Sequence, residues 1–336
     1  MVNNEMDFSL WLDFVERDYL KNDFSKLIEK GIINGATSNP SIFASAITTS
    51  PAYKEQLEQL SGKSAKEKYE ALAIEDIKTA AKALRVLYDE GNDGYISIEV
   101  DPFLSKDTKA TVEEGRRLFK AIGEPNVMVK VPATNAGYDA MEELLSDGIS
   151  VNATLIFSPQ QAKRCLKAMK KGIESCEENS SAKSVKVDAV ISVFVSRFDR
   201  LLDAELEQEG IDPFKTGIYN AAKIYNIIER SDIANIKTLF ASTGVKGNEL
   251  EADHYIRELL APHTVNTAPL ATIESYIAKE ETTAKLPLED TQIDGYFTLL
   301  KDAGFDMDEV YNELLKDGLK AFEEAFEMML KNIEGE

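Results

Sequence analysis

Eight short runs of β-type residues recur along the 336-residue chain, each separated from the next by a longer amphipathic stretch. The runs fall at residues 9–13, 33–37, 95–101, 127–131, 150–157, 188–196, 237–242 and 264–267. Helical periodicity fills intervals such as 65–89, 108–122, 136–145 and 160–173. Parallel strands must be joined by a crossover, which a helix supplies. The alternation therefore predicts an α/β protein and, with eight strands, a (β/α)8 TIM barrel with additional helices. A doubly wound open sheet is the alternative. It would ordinarily carry a GxGxxG or Walker loop, and the nearest segment here, TGVKG, matches neither. With 43% hydrophobic residues the chain can fill one large core, and barrels with insertions reach this length, so one domain over 1–336 is expected. A last helix, about 307–333, sets Leu315, Leu319, Phe322, Phe326 and Leu330 at three- and four-residue spacing. That stripe predicts docking on the barrel or on a second subunit, so monomer and homodimer both stay open. The segment CEENSSAKS reads as an exposed loop.

Alternate residues of a strand face opposite ways. In VMVKV, Val127, Val129 and Val131 share one face, Met128 and Lys130 the other. In YISIEVD, Ile96, Ile98 and Val100 alternate with Ser97, Glu99 and Asp101. In VNATLIF, Val151, Ala153 and Leu155 alternate with Asn152, Thr154 and Ile156. In ISVFVSR, Ile191, Val193 and Val195 alternate with Ser192, Phe194 and Ser196. Barrel interiors are usually packed with branched aliphatics. Lys, Glu, Asn, Thr and Ser there cost several kcal/mol unless they satisfy one another or a ligand. Antiparallel strands with one wet face show the same alternation, but the intervening helices argue against them. The polar positions lie toward the strands' C-terminal ends, which predicts a site at the barrel mouth.

Lys130 carries the most chemistry in that set. Taken alone it reads as a solvated lysine at a strand end. On an enclosed polar face it becomes an amine with little access to water, and an uncharged amine attacks carbonyl carbons. Asp13 ends the first strand, although an aspartate there is also a common helix cap. Thr37 and Asn39 follow the second strand, where SNPS also reads as a turn opening a helix. FASTGVKG offers Ser242 and Lys246 on a small-residue loop suited to a phosphate, and Arg197 supplies another cation beyond the sixth strand. Solvated surface positions remain the alternative for both cations.

Composition narrows the partners. Lys and Arg number 38 against 59 Asp and Glu, a net charge of −21. That field opposes nucleic acid and anionic membranes, and any anionic substrate needs a local cationic site. Cys165 and Cys176 lie on one helical stretch, roughly 16 Å apart, too far to bridge. Reduced thiols and a leader-free N-terminus, MVNNEMDFSL, fit a cytoplasmic protein. No apolar run approaches a membrane span, and with only His254 and His263 and no CxxC no metal site is expected.

In order, SLWLDF, INGATSNPSIF, GYISIEVDP, NVMVKVPAT, GISVNATLIFS, ISVFVSRFDR, LFASTGVKG and TVNTAP resemble the transaldolase family, most closely its bacterial branch. The resemblance spans residues 9 to about 269 and weakens after about 280, from where no residue is carried over. It implies a cofactor-free, Schiff-base enzyme of the pentose phosphate pathway. Such an enzyme moves a dihydroxyacetone unit from sedoheptulose 7-phosphate or fructose 6-phosphate to glyceraldehyde 3-phosphate or erythrose 4-phosphate. By that resemblance Lys130 is the Schiff-base lysine, Asp13 and Glu99 are the acid/base carboxylates, and Thr154 helps hold a catalytic water. Thr37, Asn39, Asn152 and Ser192 correspond to hydroxyl-binding residues, Phe194 to a pocket wall, and Arg197 and Ser242 to phosphate contacts. Many relatives place an arginine shortly after that serine, and Lys246 is the substitute here. Two other readings stand beside it. A fructose 6-phosphate aldolase-type lyase would release dihydroxyacetone, but the chain is much longer than that compact subfamily and Glu99 favours the transferase. A non-catalytic sugar-phosphate sensor would need the phosphate contacts but not Lys130, Asp13 and Glu99 together.

Overall fold

The computed structural model describes residues 6–178, 186–279 and 281–335. The segment MVNNE and most of the CEENSSAKS loop lie outside the described residues. Eight parallel strands close into a barrel in chain order: β1 (Ser9–Asp13), β2 (Gly35–Thr37), β3 (Ile96–Glu99), β4 (Val127–Pro132), β5 (Val151–Ile156), β6 (Ala189–Phe194), β7 (Ile236–Ala241) and β8 (Thr264–Ala268), with β8 pairing back to β1. Every expected strand is present within this (β/α)8 barrel, although several ends move. The third stops at Glu99, because Asp101 turns away to cap the 3-10 turn Pro102–Leu104, accepting from Phe103 N at 2.9 Å. The seventh stops at Ala241, where Ser242 takes a left-handed φ of 55°. No helix among the described residues is long and apolar enough to cross a membrane. Cys165 and Cys176 are buried free thiols on the helix Pro159–Glu178.

The strand faces divide largely as parity requires. Val129, Val131, Val151, Ala153, Ile191 and Val193 pack outward in a cluster shared with the surrounding helices. Ile96, Ile98 and Val127 do the same on the other side of the barrel. The expected assignment fails at one place in β5. Leu155 adopts φ 59°, and the pairing with β6 shifts register between Ala153 and Ile156. This bulge turns Leu155 to the cluster containing Phe157 and Phe194, and sends Ile156 to the helix-facing cluster. An extra residue in one strand reverses every alternation that follows it.

The C-terminal helix, Met307–Glu334, docks on the barrel. Its buried stripe is Val310, Leu314, Gly318, Phe322, Phe326 and Met329, while Leu315, Leu319 and Leu330 flank it half-buried. Val310, Leu314 and Phe322 join the cluster of Phe157 and Phe198, and Phe326 and Met329 join that of Phe43 and Tyr69. The helix thus ties together two hydrophobic clusters.

Candidate active site

Strand register assembles the site before any side chain is considered. Glu99 pairs with Lys130 across β3 and β4, Lys130 with Asn152 across β4 and β5, and Asp13 with Thr37 across β1 and β2. Register partners on parallel strands point the same way, so these side chains converge. Lys130 and Glu99 are each only 6% exposed. Lys130 Nζ lies 3.4 Å from Glu99 Oε2 and donates to the backbone carbonyl of Ser38 at 3.1 Å. The Phe322 ring of the C-terminal helix sits 5.8 Å from the same nitrogen. Glu99 Oε2 has no well-aligned hydrogen-bond partner among the described residues, so charge dominates the pair.

The two acids respond to this enclosure. Burial pushes the Glu99 carboxyl up to about 7; the Lys130 charge works against that rise and the Asp13 charge adds to it. Burial also raises Asp13, opposed by Lys130 and by the Thr37 hydroxyl, which donates to Asp13 Oδ1 at 2.7 Å. Asp13 keeps part of its surface open to the mouth, within a cleft deep enough to desolvate it. Two carboxylates thus compete for one cation, the arrangement that separates acid from base. For Glu99 the folded value of about 7 stands above the ordinary 4.5. Between those limits the folded state keeps a proton that the unfolded state has released, so stability falls as pH rises through the window and levels off above it. Wild-type protein is expected to lose on the order of 3 kcal/mol more than Glu99→Gln between pH 4.5 and 7, read from denaturant midpoints. Equal losses in the two proteins would assign the titration elsewhere.

A row of neutral polar groups adjoins the ionised ones. Asn152 Nδ2 donates to Ser97 Oγ at 3.0 Å, and Ser192 Oγ donates to Asn152 Oδ1 at 2.6 Å. Because Thr37 gives its proton to Asp13, the Thr267 hydroxyl 2.6 Å away donates to Thr37. Thr154 Oγ1 is buried without a hydrogen-bond partner among the described residues. An unmet hydroxyl and an unmet carboxylate oxygen in one barrel interior are the open valences a polar ligand or water would fill. Asn39 realises its other reading: Oδ1 accepts from Ile42 N at 3.0 Å and caps the helix Pro40–Thr49. Phe194 is buried, with Phe157 5.3 Å away on one side and the Arg197 guanidinium over its ring at 5.3 Å.

Arg197 stands in the first turn of the helix Ser196–Gln208 and has no ion pair among the described residues. Burial and the charge of Arg200 push its pKa down, with Asp317 opposing. Ser242 reaches the start of that helix, its Oγ 3.0 Å from Ser196 Oγ. Lys246 lies exposed on the loop after β7, and no described contact joins it to Arg197 or Ser242. Several contributors escaped the sequence reading. Ser38 acts through its backbone carbonyl, which no side-chain pattern marks. Thr267 is buried, and its chain signal was the inward parity of TVNTAP. Phe322 stood in the helical stripe, but periodicity names a face without its target.

Together these features define a class: a (β/α)8 barrel enzyme whose mouth holds a buried amine and two acids, equipped for carbonyl chemistry. The profile of the Transaldolase/Fructose-6-phosphate aldolase family matches residues 10–333. The Helicobacter pylori protein named Transaldolase is 44% identical over 327 residues, covering 97% of this chain and 99% of its own length. A Campylobacter jejuni protein of the same name is 46% identical over 331 residues, covering 97% and 99%. The chain belongs to the transaldolase/fructose-6-phosphate aldolase family, and it is an enzyme with the transaldolase function. The match includes almost all of the C-terminal helix, beyond the point where the quoted motifs thin out.

Proposed function

We propose that the enzyme transfers a dihydroxyacetone unit between sugar phosphates through a Schiff base on Lys130, without a cofactor and in the cytoplasm. The observation that carries this reading is the buried Lys130–Glu99 pair, 3.4 Å apart and in register on adjacent strands. Lys130 Nζ passes its proton to Glu99, and the freed amine attacks C2 of the ketose phosphate. Glu99, acting through a water held with Thr154, delivers the proton with which the C2 oxygen leaves as water. The resulting iminium draws electrons from the C3–C4 bond. Asp13 takes the proton of the C4 hydroxyl as that bond breaks, and the shortened aldose phosphate departs, leaving an enamine on Nζ.

Asn39, Asn152, Ser192 and Thr37 hold the remaining hydroxyls, and Phe194 walls the pocket. The acceptor aldehyde then adds to the enamine carbon, Asp13 returns its proton, and water releases the new ketose phosphate from Lys130. Arg197 and Ser242 bind the phosphate, with Lys246 as a point-charge partner from the loop after β7. An arginine with no ion pair among the described residues supports the phosphate assignment, as does its contact with the pocket phenylalanine. Remote binding energy at that end positions the reacting carbonyl. Borohydride added with fructose 6-phosphate should attach a reduced sugar fragment to Lys130, located by peptide mass. An adduct on another lysine, or none with active enzyme, overturns the reading.

A further inference from the structure

The fate of the enamine decides between transfer and release. If water reaches it, the enamine carbon takes a proton and becomes an iminium. Water then adds at C2, the C–N bond breaks, and dihydroxyacetone leaves as Nζ recovers its electron pair. One water is consumed and no acceptor is needed. We infer that the C-terminal helix sets this partition, with Phe322 as the residue that shields the Lys130-bound three-carbon unit from water. The inference rests on the Schiff-base reading of Lys130.

Three observations point the same way. First, the helix is clamped at both ends of its docking face. Leu314 joins the cluster of Phe157 and Phe198. Phe326 packs edge-on against Tyr69 at 5.4 Å and against Phe103 at 6.3 Å. Phe322 lies between these anchors, so its ring is held over the amine, 5.8 Å from Nζ. Second, Gly318 stands one turn before Phe322, on the same helix face. A Cβ there would meet Leu155 Cδ2 at 3.0 Å and Arg197 Nη1 at 3.2 Å. Glycine weakens a helix interior relative to alanine, and here it lets the helix approach the guanidinium closely. One face therefore yields space at the phosphate end and supplies an aromatic ring at the amine end.

Third, the chemistry of the ring suits the task. Phenylalanine neither donates nor accepts a proton, and it displaces water from the face it covers. Its π face also favours the positive charge that the iminium carries on Nζ. A polar residue at this position would hold water beside the enamine. Phe322 is thus a shielding residue, distinct from the acids that move protons.

The test compares wild type, Phe322→Ala and Phe322→Leu as full-length proteins. Dihydroxyacetone released from fructose 6-phosphate alone is divided by sedoheptulose 7-phosphate formed when erythrose 4-phosphate is added. A ratio within one preparation does not depend on its folded fraction, and leucine keeps most of the apolar volume. The ratio is expected to rise at least about tenfold in Phe322→Ala and less in Phe322→Leu, with borohydride trapping at Lys130 retained. A ratio unchanged in both variants, with normal trapping, overturns this inference alone. Failure to trap Lys130 in the wild type overturns the Schiff-base reading and the shield with it.

Discussion

Lys130→Met is expected to give a folded barrel that forms no covalent adduct, with transfer lowered at least about ten-thousand-fold. Among the described residues, the Ser38 carbonyl, Glu99 and the Phe322 ring are the contacts around Nζ, and no second lysine is among them. Removing one member of a buried ion pair usually strands the other charge, at a cost of about 3–5 kcal/mol. Glu99 avoids most of that penalty. Burial already lifts its carboxyl to about 7, and Lys130 is the strongest influence holding it down. Without that cation the acid stays protonated at neutral pH and needs no counter-ion. Methionine is one atom shorter than the lost side chain, fills most of its space and packs well against an aromatic ring. The melting temperature should therefore stay within several degrees of wild type while activity vanishes. Activity above about 1% of wild type, measured as erythrose 4-phosphate-dependent product, would assign the nucleophile elsewhere.

The barrel was legible because two periods coexist in the chain. Period two in 127–131, 151–154 and 191–196 separates an apolar face from a functional one, and helical runs between them impose parallel pairing. Lys130, Glu99, Asn152, Thr154 and Ser192 follow from that parity and from register. Strand ends were less legible, since Asp101 and Ser242 stop their strands by backbone conformation rather than by polarity. The bulge at Leu155 had no signal at all: leucine fits the alternation on either face, and nothing in its neighbours announces a φ of 59°. The resemblance to a family supplied roles where residue type leaves them open, as at Asn39, which is both a helix cap and a neighbour of the site. The stripe of the last helix was visible as a period and its target was not. Docking depends on the shape of the barrel mouth, which no local window contains.

Asp13→Asn should divide the reaction into its two halves. Asparagine preserves the size of the side chain and an oxygen able to accept from Thr37, whose hydroxyl lies 2.7 Å from Asp13 Oδ1. It cannot take a proton from a C4 hydroxyl. Imine formation on Lys130, which the proposed mechanism assigns to Glu99, should survive and remain visible as a borohydride adduct. Transfer should fall by about 100- to 10,000-fold, the range expected when a positioned general base is removed. The same substitution alters Glu99. Asp13's charge is one of the influences raising that carboxyl, so its loss lowers the Glu99 pKa. The acid must then be protonated to deliver its proton, and the pH above which adduct formation declines should move down. Loss of the adduct together with transfer would place Asp13 in imine formation. An adduct that forms normally but with an unmoved pH limit would show that the two carboxylates do not sense each other across the barrel mouth.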